Sequence, residues 1–422
     1  MLKKYLSIVA LNDVATGMIA ITVIWYMMNS IGVQNASLVI TFATLICGVV
    51  SIFLGSILDQ YSKSRILKLG AGIATFILVI QALLINQGIN HVYVWFMLFT
   101  LLRISSLIKS TAQRSIIRDV FSAEEVPKVI RKERVLVDTI GLFTPLLAAV
   151  TGAISIELSI LLISLINFII IFFRLPNYTF KNGSSFKVSK FLASVREGIS
   201  FKWKMKLERN QTVIMVFLNI FISSFFPILI PAFIASSDDG GVIEFGLVQS
   251  SIALFSWIAA AYGLTFLQNL FGRKYICTIG ICIVSISMIL TMHLPFTTAT
   301  FVVMGFSGFG LTIFRLNGNS HRALAFPNAF KGRFSSLDMS LGLFSSFIGM
   351  LLATLLISNF PVSEIITAYS IMAILLSVLF LVIPGYSKFM SLDYKNVEDY
   401  YQKLYPELFK SSALKKAETH CS

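Results

Sequence analysis

The sequence predicts an all-α membrane protein with twelve transmembrane helices in two pseudo-symmetric six-helix halves. Three observations carry that prediction. Over 422 residues the composition is 56% hydrophobic and 13% charged, with a mean hydropathy of +0.83; a soluble domain holds roughly 25% charged residues. Apolar runs of about 20 residues, enough to span ~30 Å of hydrocarbon, recur along the whole chain. The 34 Lys and Arg residues avoid every second connection between those runs, as expected when basic loops stay on the cytoplasmic side.

In order, the runs lie at 5–31, 36–57, 66–86, 91–112, 135–153, 156–174, 212–235, 246–268, 275–293, 297–317, 335–358 and 361–384. The first follows Lys3 and Lys4, as a signal peptide would. Its length, the Asn12-Asp13 pair within it and the lack of a small-residue cleavage site favour a retained helix. With the N-terminus inside, the outer connections lie near 32–35, 87–90, 154–155, 236–245, 294–296 and 359–360. Around them sit Glu157, Asp238, Asp239, Glu244 and Glu364, and no Lys or Arg. Both termini are therefore expected in the cytoplasm, and the chain in the plasma membrane as a monomer.

The halves are residues 1–174 and 212–385, joined by a cytoplasmic linker at 175–211 and followed by a cytoplasmic tail at 386–422. Arg174 to Arg209 holds nine basic and two acidic residues. Its FLASVREGISFKWKM stretch suits a surface helix drawn to anionic lipid, which accounts for the +14 net charge without nucleic acid. The tail stretch DYKNVEDYYQKLYPELF reads either as an interfacial amphipathic helix or as a solvated tail.

Chemistry-bearing motifs are absent. Cys47, Cys277, Cys282 and Cys421 have neither paired nor metal-ligand spacing, and His91, His293, His321 and His420 form no zinc constellation. There is no phosphate-cradling glycine loop and no nucleophile elbow. No enzyme, metal or cofactor is expected.

The halves are weakly self-similar. KERVLVDTIGLF opens the fifth run and KGRFSSLDMSLGLF the eleventh, while GSILDQYSKSRI and LTFLQNLFGRKYI follow the second and eighth. On these motifs the chain resembles the major facilitator superfamily over nearly its whole length, and the resemblance implies that family's fold. The family's signature loop reads Gly-x-x-x-Asp-Arg-x-Gly-Arg-Lys/Arg. Gly55, Asp59, Lys63 and Arg65 fit it, with Gln60 and Ser62 in place of the usual Arg and Gly. In the second copy Gly272, Arg273 and Lys274 match, with Asn269 where the acid stands. LLRISSLIKSTAQRSII, EEVPK, LFTPLLAAVTG and KGRFSSL are similar to the drug-exporting group that contains macrolide efflux proteins and enterobactin exporters.

Several residues stand out physically. Arg103 lies deep in the fourth run, where an Arg must face the bundle interior or water. It also matches the family's helix 4 Arg, which the resemblance links to proton coupling; a structural ion pair is the other reading. Asp13 is about 12 Å into the first run, and an Asp13–Arg103 pair is expected. A carboxylate that alternates between burial and a cation takes up and releases a proton. An interhelical polar contact is the alternative, and Asn12 can join the site or bind substrate.

Asp138 and Asp338 open the fifth and eleventh runs with Arg134 and Arg333 one turn back, and read as gate or capping residues. Arg315 is a gate candidate expected to meet Asp338 or the loop with Asn317 and Asn319. Gly141 and Pro145 suit the family's helix 5 motif, and Pro227 and Pro231, near Asn219, suit a bent seventh helix; generic membrane-helix bending explains them equally. Trp25, Tyr26, Trp95, Phe225, Phe226 and Trp257 are candidate cavity contacts.

The expectation is a secondary transporter, exchanging protons for an amphipathic or hydrophobic small molecule by alternating access. A metallophore or siderophore exporter, a nutrient symporter and a non-transporting sensor or scaffold are the alternatives. A cluster of cavity-facing basic residues would favour the metallophore exporter.

Overall fold

The computed structural model describes residues 2–60, 62–121, 125–173, 199–237, 240–294 and 298–408. All regular structure among them is helical. The first six helices are α1 Leu2–Ser30, α2 Val33–Gln60, α3 Lys63–Asn86, α4 Val92–Val120, α5 Val126–Ile154 and α6 Ile156–Phe172. They are followed by α7 Lys206–Ala235, α8 Val242–Phe271, α9 Arg273–His293, α10 Thr298–Ala325, α11 Asn328–Ile357 and α12 Val362–Val382. Eleven contain a stretch long and apolar enough to cross a bilayer, and α6, at 17 residues, is apolar but shorter.

Apolar runs locate these helices, yet on one face of the bundle the helices outrun them. α4 continues to Val120 and α10 to Ala325, while α5 begins at Val126, α7 at Lys206 and α11 at Asn328. Hydropathy falls where the hydrocarbon ends, whereas backbone i→i−4 bonding continues beyond it. α7 thus starts inside the stretch assigned to the linker, and a helical segment at 199–204 precedes it. The N-terminus, this segment and the tail all lie on what is called here the terminal face; the other is the opposite face.

In the first six helices, α1 packs on α5 and α6, α2 on α4, and α3 on α4 and α6. In the second six, α7 packs on α11 and α12, α8 on α10, and α9 on α10 and α12. Each of these pairings recurs six helices later. Between the two sets, α5 packs on α8 and α2 on α11. Gly246 makes the first of these contacts feasible. A Cβ there would stand 2.2 Å from Ala149 Cβ and 2.8 Å from the Pro145 carbonyl oxygen, so a side chain would force the helices apart. Gly272 turns the chain between α8 and α9 at φ +77°, a conformation other residues rarely adopt.

α7 changes to π-helical winding at Phe225–Leu229, around Pro227, and returns to α-helix with Pro231 in its first turn. A proline cannot donate to the ladder, and a π turn absorbs the misfit. α5 passes Pro145 within a continuous helix.

The described part of the tail, to residue 408, is neither a separate interfacial helix nor a solvated segment. Its short helices α13 Tyr386–Ser391, α14 Tyr394–Val397 and α15 Tyr400–Leu404 fold back over the ends of α9 and α10. Arg273 Nη1 donates to the Leu392 carbonyl at 3.0 Å, and the Asp399 amide to the Leu324 carbonyl at 3.2 Å. Phe326 stacks on Phe334 at 4.2 Å and meets Tyr401 at 4.8 Å. The aromatic spacing that suggested a membrane surface serves this buried cluster instead. In the linker segment Phe201, Lys202 and Met205 are likewise buried, with Trp203 exposed.

Candidate functional site

In the first six helices, the charge of the embedded Asp13 acts on Lys109 of α4. Lys109 is completely buried, and its Nζ donates to Asn167 Oδ1 of α6 at 2.6 Å. No ion pair joins Asp13 to Arg103. Arg103 is exposed and its charge reaches Cys47 of α2. The two cations are six residues apart, which turns them roughly 120° from each other around α4. Lys109 therefore faces α3 and α6, while Arg103 faces elsewhere. It was visible in the sequence as the second cation of RISSLIK, overshadowed by the family motif.

A hydrogen-bonded chain runs nearer the terminal face. Asn12 Nδ2 donates to Gln113 Oε1 at 2.9 Å, and Gln113 Nε2 to Glu133 Oε1 at 3.3 Å. The Tyr5 hydroxyl donates to Glu133 Oε2 at 3.0 Å. One carboxylate is thus held by neutral donors from α1 and α4. Asp138 pairs with Arg134 at 3.0 Å, one helical turn back.

The corresponding place in the second six helices is ionic. Lys202 Nζ lies 3.1 Å from Glu208 Oε1 and contacts Asp338. Arg322 Nη2 contacts Glu208 and lies 3.4 Å from Asp338 Oδ2. Each carboxylate is shared by both cations, so two positive and two negative charges cancel. The Tyr401 hydroxyl completes the cluster, donating to Glu208 Oε2 at 3.0 Å. Burial, and then the Glu208 charge, raise the Tyr401 phenol well above its ordinary pKa, so it remains a donor. The sequence reading missed this cluster because Lys202 and Glu208 sit in the basic linker stretch and Tyr401 in the tail.

Asp338 is therefore occupied, and Arg315 does not pair with it as expected. Arg315 instead lines a cavity of about 200 Å³ between α7, α10 and α11, with Thr212, Asn219, Ser345, Leu311 and Phe314. Asn219 Nδ2 lies within hydrogen-bond distance of the Gly342 carbonyl at 2.8 Å, Ser345 Oγ at 2.9 Å and Ser346 Oγ at 2.8 Å. The cavity runs from the cluster at Arg322 and Asp338 inward to Ile222.

Side-chain contacts between the two sets of helices, among the described residues, run from the opposite face to mid-bundle. Trp25 stacks on Phe245 at 5.9 Å, and Phe42 meets Phe347 at 6.0 Å. Thr41 and Thr354 hydroxyls lie 3.4 Å apart, and Gly48 approaches Leu343. Toward the terminal face, no atom lies within 4 Å of where a Cβ on Gly141 or Gly342 would stand. Of the expected cavity residues, Asn219 lines the cavity, whereas Trp25 belongs to the closed face. The Tyr26 hydroxyl donates to Asn90 at 2.8 Å and its ring meets Trp95 at 5.0 Å. Phe225 is buried, and Trp257 is exposed beside Tyr262.

Of the signature-loop residues, Arg273 clamps the tail and Lys274 lies 4.4 Å over the Tyr275 ring. Lys63 opens α3, and Arg65 is exposed two residues on. The side chains of Asp59 and Arg333, and the surroundings of Gly55, fall outside what is described.

The Major Facilitator Superfamily model matches residues 5–312. No curated protein matches the sequence. Among solved structures, the fold is similar to the nucleoside transporter NupG, with a TM-score of 0.71 at 13% identity, covering 90% of this chain and 98% of that one. It is similar to a POT family transporter in complex with 5-aminolevulinic acid, with a TM-score of 0.72 at 13% identity over 92% and 96% of the two chains. A bacterial homologue of the iron transporter ferroportin, in the inward-facing state, gives 0.64 at 13% identity over 93% and 98%. At these identities the likeness is one of fold. With the family match spanning most of an all-helical, multiply membrane-crossing chain, this protein belongs to the major facilitator superfamily.

Proposed function

We propose that this chain is a proton-coupled secondary transporter that exports an amphipathic organic molecule by alternating access of two six-helix halves. The observation that carries the reading is the placement of contacts: the halves meet from the opposite face to mid-bundle, and toward the terminal face the second half holds a cavity walled by α7, α10 and α11. Such a bundle can expose one site to either side by rocking about its contacts. Positive-inside asymmetry makes the terminal face cytoplasmic in a plasma membrane, so the described conformation is the one loaded from inside. Residues 1–174 and 212–385 are the moving halves, with 175–211 the linker and 386–422 the tail. The path lies within one chain, so the monomer is the working unit.

Asp13 is the proposed proton carrier, with Lys109 rather than Arg103 beside it. Rocking would change the exposure of Asp13 to water, and with it the affinity of the carboxylate for a proton beside the Lys109 charge. Arg103 is left with a cavity role. The test uses purified protein in liposomes with an entrapped pH dye and a panel of amphipathic compounds. Substrate-dependent proton movement is expected to fall at least about tenfold in Asp13→Asn, while gradient-independent substrate exchange persists. Unchanged pH-driven flux in that variant would remove Asp13 from the mechanism. Loss of exchange as well would make Asp13 a binding or structural residue.

A further inference from the structure

We infer that the cargo carries an acidic group, and that Arg315, with Arg103 on the corresponding helix of the other half, receives it. The inference rests on the transporter reading. Both arginines are exposed although each lies well inside its helix. An arginine at such depth is tolerated where it meets water or a partner, not lipid. Arg103 lies roughly 120–160° around α4 from Met97, Leu98 and Leu101, the α4 residues that line an outer apolar groove with α3. It therefore points away from that groove. Arg315 opens directly onto the cavity.

Neither arginine has an ion-pair partner among the described residues, and the described acids nearby are already engaged. Asp338 and Glu208 are shared between Lys202 and Arg322. Asp138 holds Arg134, and Glu133 accepts from Tyr5 and Gln113; Asp13 interacts with Lys109. The ionic cluster at the cavity rim is neutral as a set, so Arg315 leaves an uncompensated positive charge in the wall. A cationic cargo would be repelled there. A carboxylate, phosphate or sulfonate would meet a planar guanidinium able to bind two oxygens at once. Thr212 and Ser345 add hydroxyls, and Leu311, Phe314 and Leu341 add an apolar wall. The site fits an acid with a hydrophobic body.

The test holds the ring constant and changes only the charge. Full-length protein in phosphatidylcholine nanodiscs is titrated by equilibrium dialysis with 2-naphthoate, 2-naphthamide and 2-naphthylmethylammonium. Naphthoate is expected to bind at least about tenfold more tightly than either other probe. Arg315→Gln should abolish that preference, Arg315→Lys should keep part of it, and the surface control Lys388→Gln should leave it unchanged. Equal binding of the three probes, no binding of any, or an unaffected Arg315→Gln would overturn the inference. Loss of naphthoate binding when phosphatidylglycerol is included would assign the arginines to lipid headgroups and overturn it too. Proton-linked flux of cations alone would sink the acidic cargo while sparing the transporter. Selective naphthoate binding without flux of any compound would do the reverse.

Discussion

The terminal ends of α1, α4 and α5 and those of α7, α10 and α11 occupy equivalent places in the two sets of helices, but they are wired differently. The first set holds Glu133 with a phenol and an amide, and Gln113 passes the chain on to Asn12. The second locks two carboxylates between two cations and fastens the linker and the tail to them. In the ionic set, adding or removing one proton strands a buried charge. In the other set the described partners of the carboxylate are neutral, so its loss strands no cation. The contrast teaches that similar backbones can be wired differently: one half holds a carboxylate with neutral donors, the other fastens its linker and tail with paired charges.

The contrast can be broken at its strongest point first. Glu208→Gln leaves Lys202 and Arg322 with one carboxylate and should cost about 3–5 kcal/mol, read as a lowered thermal midpoint in detergent. Glu133→Gln, whose partners are neutral, should cost no more than about 1.5 kcal/mol. Equal losses in the two variants would erase the distinction.

Tyr401→Phe removes a single donor to a buried carboxylate and should cost about 1.5–3 kcal/mol. It should also speed tryptic cleavage at Lys403 as the tail loosens. Unaltered cleavage would mean that the aromatic cluster alone holds the tail.

The smallest effect is one of pH. His321 Nε2 donates to the Leu392 carbonyl at 3.3 Å, and burial, opposed by that bond and helped by Arg273, lowers its pKa below the ordinary 6.5. With the tail undocked, His321 of α10 therefore binds more protons as pH falls, and docking weakens from about pH 6.5 downward. Cleavage at Lys403 should rise about two- to threefold from pH 7.5 to 5.5 in the parent protein and stay flat in His321→Gln. A flat parent profile would detach His321 from the tail.

Helix order was legible because hydrocarbon demands long apolar runs, and composition alone reports those. Helix ends were not, since α4 and α5 continue into polar sequence that hydropathy cannot distinguish from loop. Asp13 was legible as an expensive charge. Its partner was not, because choosing between Arg103 and Lys109 requires the rotation of α4 about its axis. Glu208 and Tyr401 are separated by 193 residues, and no local pattern connects an acid in a basic stretch to a phenol in a tail. Trp25 looked like a cavity residue because aromatic type does not say which end of the bundle is shut.

The linker's end and the tail are fastened to the same half through Lys202 and Tyr401, and the two halves touch through α5–α8 and α2–α11. Those contacts all lie among described residues on either side of 174–198. A gene split there and expressed as two polypeptides would yield fragments that each keep six helices, the second with its lock intact. The halves could then meet in the bilayer as separate subunits, so the single chain is a means of delivering them together.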